Sequence, residues 1–166
     1  MLKILGKQKK READVEEVKE DPKLRIGPAE LRLRTDLQEV ECPPNVVMNF
    51  PDPNNLMKFD VTFDLKDYDC LWRGGKYKIT FDIPLEFPYH PPRCVCEPAI
   101  YHPNIDTQGK VCLQMLGLEW RPMMSINSII YALYLLFDDP NPEDPKNLEV
   151  AKVMRDNPNA FKDKVK

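Results

Sequence analysis

Phe59-Asp60-Val61-Thr62-Phe63-Asp64-Leu65 decides the fold of this 166-residue chain. Phe59, Val61, Phe63 and Leu65 alternate with Asp60, Thr62 and Asp64, so the apolar set faces one side of a strand and the polar set the other. Beyond the Gly74-Gly75 turn signal, Tyr77, Ile79, Phe81 and Ile83 repeat the alternation. Val46-Val-Met-Asn-Phe50 precedes this pair, and Arg93-Cys-Val-Cys-Glu97 follows it, just after Pro91-Pro92. Short strands met in sequence with tight links read as an antiparallel meander.

Helical spacing brackets the strands. Pro28 suits the first turn of a helix. Leu33, Leu37 and Val40 give that helix one apolar stripe, which Pro43-Pro44 is expected to end. Ile126, Ile129, Ile130, Leu133, Leu136 and Phe137 form a second and clearer stripe, with Ser125 as its N-cap and Asp139-Pro140 as its stop. Lys146 to Asn157 and Pro158 to Val165 predict two more short helices. The order of helix, strands and helices is an α+β layout.

Length fits one domain with one core. A net charge of -3 gives no basic footprint for nucleic acid. No apolar run reaches the roughly 20 residues of a membrane span, and Leu2-Lys-Ile-Leu5 is too short for the core of a signal peptide. Five cysteines, an odd count without an export signal, point to a reducing cytosolic or nuclear setting. Gln8 to Asp21 is charged and has little to bury, so it cannot offset its ordering entropy. Residues 1–26 are therefore expected to form a flexible arm ahead of a domain at 27–166.

Chemistry concentrates in Tyr101-His-Pro-Asn-Ile-Asp-Thr-Gln-Gly-Lys-Val-Cys-Leu113. A His-Pro-Asn turn stands eight residues before Cys112, with Gly109 between them to fold the loop back. A cysteine held this way can carry an acyl group as a thioester. Judged by residue type alone, a buried structural cysteine is the commoner case. The helpers of a cysteine hydrolase are missing. The two histidines, His90 and His102, each sit directly before a proline. That pairing biases the backbone toward extended or turn forms, so neither reads as a mobile general base. The site reads as one that accepts an activated acyl group and passes it on. Cys94 and Cys96 share one side of a strand, but no second Cys/His pair follows at zinc spacing. They read as core residues, and no metal site is expected. No phosphate-binding glycine loop is present either.

His102-Pro103-Asn104 with Cys112, Phe87-Pro88-Tyr89-His90-Pro91-Pro92 upstream, Trp120-Arg121-Pro122 downstream and Asp139-Pro-Asn-Pro-Glu-Asp-Pro145 after a helix occur in one order. From roughly Gly27 to Phe161 the chain resembles the ubiquitin-conjugating enzyme family. Met1-Leu-Lys-Ile-Leu5 and Ile126-Asn-Ser-Ile-Ile130 are most similar to its neddylation branch, which charges a Rub-type ubiquitin-like modifier and delivers it to cullins. The resemblance implies the ubiquitin-conjugating fold: an N-terminal helix, a four-stranded antiparallel meander, an active-site loop and C-terminal helices. It implies an acyltransferase without metal or small cofactor. Cys112 would take the modifier from a heterodimeric activating enzyme, which consumes the ATP. It would then pass the modifier to a lysine of a cullin, with a RING-type ligase and a co-ligase attached. The cytoplasm and nucleus are the expected locations.

Asn104 can offer an amide N–H to an oxyanion, a donor worth ~3–4 kcal/mol in a hydrolase site. It can equally hydrogen-bond its own loop. The family gives the matching asparagine a role in transfer to lysine and a loop-structuring role as well. His102 is assigned to loop structure. A lysine acceptor has an ordinary pKa of ~10.4, so its free amine costs roughly 5 kcal/mol at pH 7. A nearby carboxylate can orient that amine and take its proton. Asp144 stands where the family places such an acid; without the resemblance it reads as a plain turn acid. Gln114 departs from the aspartate of many ubiquitin-type members; it is longer than the asparagine of the neddylation branch but shares its uncharged amide, which favours that branch.

Tyr89, Pro122 and Met123 predict an exposed apolar patch. In the family, the loops holding the matching residues dock onto RING-type ligases. Pro88, Pro91 and Pro92 predict rigid extended backbone there. In the arm, Met1, Leu2, Ile4 and Leu5 are apolar ahead of a charged tether, which raises the effective concentration of a second contact. In neddylation-type members the arm enters a groove of the activating enzyme, and its acetylated first methionine is captured by a co-ligase. Arg32 and Arg34 on the first helix are expected to contact the activating enzyme or, read plainly, to be solvated charges. Two other functions share the fold, a conjugating enzyme for ubiquitin itself and a non-catalytic scaffold. Met1-Leu-Lys-Ile-Leu5 and Gln114 argue against the first, Cys112 and Asn104 against the second.

Overall fold

A computed structural model of the chain describes residues 26–165. The alternation at Phe59–Leu65 becomes strand β2 (Lys58–Asp64), with Phe59, Val61 and Phe63 buried and Leu65 buried just past its end. β2 lies between β1 (Val46–Asn49) and β3 (Lys76–Asp82), and β4 (Arg93–Glu97) completes the order β1-β2-β3-β4. Every neighbouring pair is antiparallel, the expected meander. Register sets Phe59 opposite Phe81, Val61 opposite Ile79, and Phe81 and Ile79 opposite Cys94 and Cys96. These cross-strand rows build the core face, where the Phe59 and Phe81 rings stack at 4.9 Å. On the other face, Lys78 lies 2.8 Å from Glu97 and 3.9 Å from Asp60.

Helix α1 (Pro28–Gln38) has proline in its first turn and buries Ala29 and Leu33. It stops well before Pro43-Pro44. The Glu39 N–H bonds to the Asp36 carbonyl in a tightened last turn, so Val40 lies beyond the helix. Helix α2 (Ile126–Leu136) buries Ile126, Ile129, Ile130, Leu133 and Leu136, and the Ser125 side chain accepts from the Ser128 N–H. Phe137 at its end packs on Phe63 at 5.6 Å. Helix α3 (Leu148–Asp156) starts later than the pattern from Lys146 suggests. Lys146 and Asn147 give their N–H groups to the Pro103 carbonyl instead, and the Asn147 side chain caps the helix. Helix α4 (Pro158–Val165) seats Phe161 against Trp72 and Tyr101. No described helix is long and apolar enough to cross a membrane.

Cys94 and Cys96 point into the core, where desolvation pushes both thiols up, Cys96 to about 12. Among the described residues no three His, Cys, Asp or Glu side chains gather as metal ligands would. Met1, Leu2, Ile4 and Leu5, and with them nearly all of the expected arm, lie outside the described residues.

Candidate active site

The segment leading to Cys112 is latched onto β4. The Cys96 N–H donates to the Gly109 carbonyl at 2.7 Å, and the Val111 N–H donates to the Cys94 carbonyl at 3.0 Å. Between these bonds, Val95 and Lys110 bridge antiparallel. Gly109 has a φ of +80°, and a Cβ there would stand 2.1 Å from the Cys96 carbonyl oxygen. Only glycine meets both demands. Asp106 ties the turn itself, its carboxylate accepting from the Gln108 and Lys110 N–H groups, each at 2.9 Å.

His102 is buried. Its Nδ1 accepts from the Asn104 N–H at 3.0 Å, which leaves Nε2 as the protonated nitrogen, facing the Leu136 carbonyl at 3.0 Å. Its ring stacks on Trp72 at 4.4 Å, and the Trp72 indole N–H holds the Tyr101 carbonyl. Desolvation pushes His102 down to about 4, so the ring is neutral at physiological pH. With both nitrogens engaged, it is a brace for the turn and not a base.

Asn104 is buried and binds in four directions. Its carbonyl accepts the Cys112 N–H at 2.8 Å. Its side-chain Nδ2 donates to the Asn141 carbonyl at 2.8 Å and the Asp144 carbonyl at 3.1 Å, while Oδ1 accepts the Asn141 N–H at 2.9 Å. Its own N–H goes to His102. Both amide hydrogens are therefore occupied by carbonyls. For this amide to meet an oxyanion, one of those bonds must be exchanged.

Cys112 is half-buried and Asp144 is exposed. The main chain of each is fixed by the same asparagine, one through its backbone and one through its side chain. The loop bearing Asp144 is held further by the Lys146 and Asn147 N–H groups on the Pro103 carbonyl. On its outer side, Arg155 of α3 donates to the Pro142 carbonyl at 2.5 Å. A half-buried thiol and an exposed carboxylate on two segments joined through Asn104, with neutral His102 bracing that asparagine, form a set that can accept an acyl group and present it to an amine.

Tyr89 and Met123 are 77% and 85% exposed, and Pro122 is exposed beside them. Their two loops are joined from below. The Trp120 indole N–H donates to the Pro88 carbonyl at 2.8 Å. The backbone around Pro88 is a run of turns and not the extended segment expected, with the Phe87 N–H on the Pro84 carbonyl and the Tyr89 N–H on the Glu86 carbonyl. Proline's fixed φ suits turns as well as extended chain.

Arg32 is half-buried. Its guanidinium donates to the Pro122 and Met124 carbonyls at 2.6 and 3.0 Å and to Asp36 at 2.8 Å, over the Phe87 ring. Arg34 is exposed and pairs with Glu30 on the same helix. Buried Asp36 went unnoticed in the sequence. Its second oxygen accepts the Ile126 N–H, tying α1 to the start of α2. The i,i+4 spacing of Arg32 and Asp36 was the available signal. Arg155 had none.

A family model described as "Ubiquitin-conjugating enzyme" matches residues 32–166. The chain is 38% identical over 167 residues to "Nedd8-conjugating enzyme UbcE2M" of Drosophila melanogaster, covering 100% of this chain and 90% of that protein. It is 36% identical over 165 residues to "NEDD8-conjugating enzyme ubc12" of Schizosaccharomyces pombe, covering 99% and 90%. Among solved structures, "S. cerevisiae Ubc12" superposes with a TM-score of 0.76 at 33% identity, covering 85% of this chain and 76% of that one.

Proposed function

This chain belongs to the ubiquitin-conjugating enzyme family, and from that premise we propose that it carries a NEDD8-type modifier on Cys112 and passes it to a lysine. One observation carries the chemistry: Asn104 holds the backbone of Cys112 and the backbone of Asp144 at once. The NEDD8-conjugating names of the fly and fission-yeast relatives support the identity of the modifier.

In the first step the Cys112 sulfur attacks the thioester joining the modifier to an activating enzyme. A C–S bond forms at Cys112, and the activating enzyme's thiol leaves with the proton. In the second step a lysine amine attacks the Cys112 thioester. A C–N isopeptide bond forms, Cys112 leaves as thiolate, and the amine's proton goes to Asp144 or through it to water. Neutral His102, with both nitrogens bonded, cannot activate a competing water.

The same reading places a RING-type ligase on Tyr89, Pro122 and Met123, and a cullin as the target. Met1, Leu2, Ile4 and Leu5 serve the activating enzyme and the co-ligase. Of the two helix arginines, exposed Arg34 is the one with room for an activating enzyme. Residues 27–166 act as the catalytic domain, in the cytoplasm and nucleus.

The test is a charging assay with ATP and, in separate tubes, the activating enzymes for NEDD8 and for ubiquitin, each with its own modifier. A reducible adduct with NEDD8 alone, absent in Cys112→Ala, is expected. An adduct with ubiquitin alone would reassign the modifier. No adduct with either would leave a scaffold of the same fold.

A further inference from the structure

The loop from Asn141 to Asn147 is gripped unevenly. Toward the core it has the Asn104 side chain at Asn141 and Asp144, and the Pro103 carbonyl at Lys146 and Asn147. On its outer side the Glu143 N–H turns back to the Asn141 side chain, a bond within the loop. Pro142 has no N–H, so its carbonyl is its single polar backbone atom. That carbonyl accepts from Arg155. Arg155 stands in the last turn of α3, a helix anchored through buried Val150 and Ala151. A charged donor on a firm helix thus holds the outer shoulder of the loop, two residues before Asp144.

We propose that Arg155 is a positioning residue for lysine transfer, acting through Pro142 to fix the direction in which Asp144 faces an incoming amine. The inference deepens the conjugating reading and rests on it. Arg155 bonds Pro142 and makes no hydrogen bond to Cys112. Its influence belongs to the second chemical step and not to the first, because loading of Cys112 makes no use of Asp144.

The experiment is single-turnover discharge of the preformed Cys112 thioester to free lysine, followed across lysine concentrations. In Arg155→Ala the rate at saturating lysine is expected to fall about 3- to 10-fold, as for loss of one solvent-exposed hydrogen bond. Charging by the activating enzyme should match wild type, and the melting temperature should stay within about 2 °C, since Arg155 is exposed. Arg155→Lys, which keeps a cationic donor, should restore most of the rate. In an Asp144→Ala background the Arg155→Ala change should add nothing, because the two lie on one line of action. A full extra loss in that background, or charging that falls in step with discharge, would overturn the proposal. An Arg155→Ala variant that discharges like wild type overturns this inference alone. A wild-type chain that takes up no modifier overturns the conjugating reading and this inference with it.

Discussion

The sheet and the active-site stretch lie against one another at β4, yet different forces hold them. In β2 and β3, position is set by many apolar contacts: Phe59, Val61, Phe63, Ile79 and Phe81 are all buried, and each shares its work with neighbours across the strands. From Tyr101 to Cys112, Ile105 and Val111 join the core, but the turn itself is placed by a few polar contacts: His102 on Leu136, Asn104 on Asn141 and Asp144, Gly109 on Cys96. A region of the first kind loses stability when altered. A region of the second kind can lose its geometry while the fold survives.

The strongest blow to the first region is Phe81→Ala. Removing a buried ring from the middle of the sheet should cost ~3–5 kcal/mol, read as a lower urea midpoint with charging lost in proportion to the unfolded fraction. A loss of activity at unchanged midpoint would break the contrast.

Next comes acid. An unfolded histidine titrates near 6.5 and His102 at about 4. The folded value is depressed, so its contribution is complete above pH 6.5 and is lost as pH falls from 6.5 toward 4. The full amount is about 3 kcal/mol. Urea midpoints of wild type should decline over that window, and His102→Gln should flatten that part of the decline. An identical profile in both proteins would show that the buried ring is not the source.

Asn104→Asp should divide fold from function most cleanly. The carboxylate can still accept from the Asn141 N–H, but it has no hydrogen for the Asn141 and Asp144 carbonyls. A stability loss of ~1–3 kcal/mol is expected from the unpaired groups. Discharge to lysine should fall about 10- to 100-fold, well beyond the loss in charging. Equal losses in both steps would mean that the loop grip serves the fold alone.

Tyr89→Ala should be the mildest change to the fold, within about 0.5 kcal/mol because the side chain is exposed. Charging should be intact, and only ligase-stimulated transfer should drop. A drop in unassisted discharge would move Tyr89 out of the docking surface.

The same contrast explains what could be read from the residues. Phe59–Leu65 and Tyr77–Ile83 announced their strands because burial on one face leaves a period of two in the side chains themselves. Ile126–Leu136 announced its helix in the same way. Spacing from His102-Pro103-Asn104 singles out Cys112 as the candidate nucleophile, and the Ser125 cap of the helix follows from its side-chain chemistry. The contacts that complete the site left no such trace. Asn104 grips two carbonyls, Arg32 grips the Pro122 and Met124 carbonyls, and Arg155 grips Pro142. Every residue has a carbonyl, so the partner carries no residue-type signature. For the same reason the end of α1 at Gln38 and the turns around Pro88 were decided by backbone hydrogen bonds that the Pro pattern did not reveal.

The latch of Gly109 and Val111 onto β4 has one more consequence. An open sheet has two raw flanks, each a row of unpaired N–H and C=O groups that invites a foreign strand. Here one flank is only the four-residue β1, and the other is sealed at Cys94 and Cys96 by the segment that leads to Cys112. Guarding the molecule against self-association and presenting its thiol are thus one task performed by one stretch of chain. A lesion at Gly109 would be expected to show itself first as a protein that clumps, and only afterwards as one that fails to react.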